Sequence, residues 1–137
     1  MRSRDVCRRG ERRMLAFVLA AALALSLSAF ACEICVEDQV AATYDHAVVA
    51  KAEATGHFIL FTAVRGKTAG AARSEATIRW AIASVAGVDR KSIRFSAEPP
   101  AASFAWNPKY LAPATVLRAI NSRLAGSGLA LVALRTL

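Results

Sequence analysis

Sulfur and imidazole are scarce in this 137-residue chain, which has three cysteines, two methionines and two histidines. Three cysteines are too few for a disulfide-built scaffold. Neither histidine sits in a recognisable nucleophile motif with a serine, so the pattern of a hydrolase is missing. A phosphate-binding loop is missing too: Gly66-Lys67-Thr68 is present, but the earlier glycine of that pattern would fall at position 61, which is Phe. Seven Gly and four Pro exclude collagen-like and Pro/Gly-rich low-complexity chains. Acids are outnumbered, ten against eighteen Lys and Arg, giving a formal net charge of +8. The 55% apolar fraction excludes intrinsic disorder, and the length allows one domain.

What is present begins with an address. Residues 2–13 hold Arg2, Arg4, Arg8, Arg9, Arg12 and Arg13 against Asp5 and Glu11. Residues 15–31 carry no charge and close on Ala29-Phe30-Ala31. A basic region, an apolar stretch and a small-x-small site in that order predict a signal peptide over 1–31, and hence a periplasmic or secreted protein. An uncleaved anchor is the alternative. Its seventeen uncharged residues would reach about 25 Å, short of a ~30 Å hydrocarbon core. Arg12-Arg13-Met14-Leu15 matches a twin-arginine signal weakly, since no hydroxyl residue precedes it, and a start at Met14 would leave a usable signal as well. Cleavage before Cys32 would expose a cysteine to acylation and make a lipid anchor, although Ala29 stands where such sites usually carry Leu.

Removal of 1–31 leaves twelve Lys and Arg against eight Asp and Glu, a net charge of +4. The densest cluster, Arg90-Lys91-x-x-Arg94, is flanked by Asp89 and Glu98, so no concentrated stripe is available for nucleic acid. Cys7 departs with the signal. Cys32 and Cys35 remain, as one Cys-x-x-Cys at the new N-terminus.

Three- and four-residue steps of Val36, Val40, Tyr44, Ala47 and Val48 predict an amphipathic helix over 36–52, with Gly56 as its stop. Phe58–Val64 reads as a buried strand and 65–73 as a loop. Ser74 is placed to cap a helix with the stripe Ile78, Ala81, Ile82 and Val85, ending at Gly87. Ile93, Phe95 and Ala97 alternate, then Ala102, Phe104 and Trp106, as two strands of a hairpin. The Glu98-Pro99-Pro100 break between them suggests a connection longer than two residues. Pro113 suits the first turn of a helix carrying Val116, Leu117, Ile120 and Leu124, and Leu129–Leu134 reads as a last strand. The order from 57 onward is β-α-β-β-α-β, an α+β, ferredoxin-like arrangement with both helices on one sheet face. Three segments follow: 1–31 as signal, 32–56 as Cys-x-x-Cys and helix, and 57–137 as the ferredoxin-like domain.

Ile82-Ala83-Ser84-Val85-Ala86-Gly87-Val88, Ser103-Phe104-Ala105-Trp106-Asn107-Pro108 and the helix 114–124 with Gly126 resemble the heavy-metal-associated domain family over about 57–134. That family includes periplasmic mercury-binding proteins and copper chaperones. The resemblance implies the fold. The family's metal loop, between the first strand and the first helix, is here Arg65–Arg73 and contains no Cys, His or Met, so no ligand carries over to it. In a second alignment Cys32-Glu33-Ile34-Cys35 is the family loop, with 36–52 as first helix and 58–64 as second strand, but no strand precedes it.

Cys32 and Cys35 are therefore the candidate metal ligands. A helix N-terminus favours thiolate, the form that binds metal and attacks disulfides. Two sulfurs suit Cu(I), and also the thiophilic Hg(II) of the family, whereas zinc normally takes four ligands. The other readings of the pair are an inert disulfide, a lipid anchor at Cys32, and a thiol-disulfide enzyme, which lacks a thioredoxin-type βαβ context. A non-enzymatic module binding an envelope protein through the sheet or the helix 36–52 is the alternative function. On one continuous helix His46 would lie ~16 Å from Cys35, too far to share an ion. His57 reads as a hydrogen-bonded edge residue, and Trp80 and Trp106 as core anchors.

Overall fold

The computed structural model describes residues 36–66 and 70–137. The segment 1–31 predicted as a signal peptide, with Cys32 and Cys35, lies outside the described residues. The fold is α+β. Two helices lead, α1 (36–43) and α2 (His46–Thr55). Then come β1 (Phe58–Gly66), α3 (Ala71–Ala83), a 3-10 turn at Arg90–Ser92, β2 (Arg94–Ala97), β3 (Pro100–Trp106), α4 (Pro113–Leu124) and β4 (Leu129–Thr136). The four strands form an antiparallel sheet in the order β2-β3-β1-β4, so the predicted β-α-β-β-α-β succession is present.

The central strands β1 and β3 are buried on both faces. On one, Leu60, Val64, Phe104, Trp106 and Leu131 pack against Ile78, Ala81 and Ile82 of α3 and Val116, Ile120 and Leu124 of α4. On the other, Ile59, Phe61 and Ala105 pack against Val40 and Ala52, with Val48, Val49 and Leu134 beside them. This second layer explains why every residue of Ile59–Val64 is buried, since a strand covered on both sides has no solvent face to alternate toward. α1 and α2 cover that face over β1 and β3.

Three boundaries differ from expectation. The helix predicted over 36–52 breaks at Tyr44-Asp45, because the Asp45 carboxylate accepts from Ala47 and Val48 N–H (2.9 and 3.2 Å) and starts a second helix. That helix runs to Gly56, whose positive φ of 66° lets its N–H turn back to Ala52 and Glu53 carbonyls. Ser74 does not cap α3. It lies buried in the first turn and donates to the Gly70 carbonyl (2.9 Å), while the helix starts at Ala71. The β2–β3 connection is two residues, not longer, because Pro99 takes the third position of a tight turn with a cis Glu98–Pro99 bond.

Both sheet edges are engaged by side chains. The Asn121 amide on α4 accepts from Leu131 N–H (2.8 Å) and donates to Leu131 C=O (2.9 Å), filling the bonding positions a further strand would use on β4. At the opposite edge the Ile93 carbonyl, next to the four-residue β2, accepts from Arg79 (3.0 Å) and Arg94 (3.1 Å).

Candidate functional site

The described chain begins one residue after Cys35, at the helix that crosses the second sheet face. Glu37 pairs with Arg135 of β4, and Gln39 donates to the Pro100 carbonyl (3.1 Å). At the far end of α1 the Ser103 hydroxyl donates to Thr43 C=O (2.9 Å), and Tyr44 stacks on Phe61 with ring centroids 6.4 Å apart. Three contacts spaced along α1 thus hold it from its first turn to its last.

Below α2 lies a cleft of about 180 Å³, lined among others by Lys51, His57, Asp89, Lys91 and Arg94. Its charges largely answer one another. Lys51 pairs with Asp89 (2.6 Å), and Arg94 pairs with Asp45 (2.8 Å). The Arg94 guanidinium, with the Val48 and Ala47 N–H groups, holds the Asp45 carboxyl below the usual carboxylate value. Lys51 does the same for Asp89, against the opposing effect of partial burial.

These shifts set a pH dependence. A carboxyl whose folded value is lowered stabilises the fold above its unfolded value and loses that contribution as pH falls through the folded one. The urea midpoint is therefore expected to decline as pH drops below about 4, near the unfolded aspartate value. Asp45→Asn keeps a competent helix cap without a titrating group. Combined with Asp89→Asn, it should flatten the decline; a slope parallel to that of the unaltered protein would remove these two carboxyls from the account.

His46 opens α2, and the break at Asp45 removes the continuous helix on which its distance from Cys35 was reckoned. His57 sits just before β1, a central strand rather than an edge, with Nδ1 2.8 Å from the Thr55 hydroxyl. Trp106 is fully buried as expected, whereas Trp80 is a correction: it is 60% exposed. It lies on the side of α3 opposite Ile78, Ala81 and Ile82, where the helix turns to solvent. Among the described residues no group of three His, Cys, Asp or Glu side chains converges as a metal site.

Comparison with family models, curated proteins and solved structures finds no match to this chain. Its own residues carry the functional reading.

Sequence reasoning missed the cap formed by Asp45, the partners of Asp89 and Asn121, and the surface position of Trp80. Asp45 had a local signal, an aspartate directly before an uninterrupted helical stretch. Lys51–Asp89 and Asn121–Leu131 had none, because their partners are set by the packing of layers.

Proposed function

We propose that this chain is an exported, non-enzymatic protein of ferredoxin-like fold that binds or hands over a soft metal ion, of the Cu(I) kind, through Cys32 and Cys35. The observation that carries the reading is the place of the dithiol: it immediately precedes α1, a helix fastened to the sheet through Glu37, Gln39 and Thr43. A pair tethered to an anchored element has its reach limited to a few residues of chain. The ferredoxin-like assignment rests on the β-α-β-β-α-β succession and the strand order. Export rests on the basic, apolar and small-residue pattern of 1–31.

Chemically, metal binding replaces two thiol protons with one soft cation, so affinity rises with pH until both sulfurs are ionised. Sulfur donors select Cu(I) over the harder divalent ions that carboxylates prefer. Replacing Cys32 and Cys35 together by serine is expected to abolish tight Cu(I) uptake in a competition titration under reducing conditions. The far-UV circular dichroism should stay unchanged. Unaltered stoichiometry and affinity in that variant would overturn the assignment.

A further inference from the structure

Charge is divided between the two helical layers. Residues 36–56 hold Glu37, Asp38, Asp45 and Glu53 against Lys51, a net −3, while α3 and α4 hold four arginines against Glu75, a net +3, and residues 57–137 as a whole have three acids. None of those three acids lies on the outer side of α3 and α4. Asp89 pairs with Lys51 under α2, Glu75 pairs with Arg79 (2.7 Å) on the flank toward β2, and Glu98 is in the β2–β3 turn.

The outer side itself carries a defined pattern. Arg73, Ala76 and Trp80 recur at three- and four-residue steps along α3, all exposed and opposite the buried Ser74, Ile78, Ala81 and Ile82. On α4, Arg118 and Ser122 are exposed opposite Val116, Ile120 and Leu124. Arg123, seven residues after the buried Val116, lies on the flank of α4 toward α3 and donates to the Ser84 carbonyl (3.3 Å), tying the two helices together. Among the described residues, no acidic side chain pairs with Arg73, Arg118 or Arg123.

We infer that the outer face of α3 and α4 docks on an anionic lipid surface, with Trp80 entering the headgroup region and Arg73 and Arg118 meeting lipid phosphates. An exposed amphipathic indole sharing a face with cations is the side-chain combination that the membrane–water interface selects. A flat surface of negative charge matches a face of two side-by-side helices that bears arginines and no acid. The acidic α1–α2 layer then faces away from the membrane, on the far side of the sheet. This inference is independent of the cysteines and of any metal.

The test is binding of the full chain to vesicles of equal parts phosphatidylglycerol and phosphatidylcholine, with phosphatidylcholine alone as reference. Trp106 is enclosed and Trp80 is 60% exposed, so a blue shift of emission on binding reports Trp80. Expected are association with the anionic vesicles, a blue shift that Trp80→Phe abolishes, and weakening by added salt. Arg73→Gln and Arg118→Gln should each lower the partition coefficient about fivefold. These positions are on the surface, so the urea midpoint should hold and serves as the folding control. Equal binding to both vesicle types, insensitive to the arginine changes, would assign attachment to residues 15–31 and overturn the proposal. So would arginine-dependent binding to polyglutamate or single-stranded DNA without binding to vesicles.

Discussion

Replacing Trp106 by alanine is expected to lower the unfolding free energy by about 3–5 kcal/mol, as read from urea denaturation. The side chain is fully enclosed at the end of β3. Its ring meets Phe58 edge-on at 5.8 Å and Phe104 at 6.4 Å, and Nε1 donates to the Leu111 carbonyl (3.1 Å). Its backbone bridges Val88, which ties the segment after α3 to the sheet. Alanine leaves a cavity where three elements meet and strands the Leu111 carbonyl. Against a total stability of ~5–15 kcal/mol for an ordinary domain, that is a large fraction. Trp106→Phe keeps most of the apolar volume and loses the donor, so its cost should be clearly smaller. Equal losses for the two variants would mean that the hydrogen bond, and not the packing, dominates.

Asn121→Leu is the second large expected effect, about 2–4 kcal/mol, since it removes both bonds to the Leu131 peptide and leaves that N–H and C=O without a partner. Leu131 is 2% exposed, so water has little access to its side chain, although a strand from outside could still reach its peptide groups. Two measurements separate the consequences. Hydrogen exchange at Leu131 N–H should accelerate, and sedimentation should show concentration-dependent association that the parent lacks, because an unblocked edge strand pairs with others. Protection of that amide equal to the parent's would show that the Asn121 side chain does not hold it.

Where the sequence could be read and where it could not follows from the range of the forces involved. α4 was readable from one end to the other: Pro113 at its first turn, a clear stripe of Val116, Ile120 and Leu124, and Gly126 beyond its last residue. All three signals are local. β1 was readable as buried because Phe58–Val64 is apolar at every position except Thr62, but the run does not say what covers the second face. The break between α1 and α2 was hidden by apolar spacing that carries on across Tyr44-Asp45. There a local cap and a distant arginine, Arg94, outweigh helical periodicity. Trp80 was misplaced for the opposite reason. Tryptophan is usually buried, but the helical phase set by Ile78, Ala81 and Ile82 turns position 80 outward. The dithiol is evident in the sequence, and its chemistry follows from sulfur alone.

The strand order also has a temporal meaning. β1 comes first among the described strands, yet both its neighbours, β3 and β4, follow more than thirty residues later. Loop closure over that separation must precede the contacts that reward it, so the central pairings of the sheet form more slowly than those of a sheet built from consecutive hairpins.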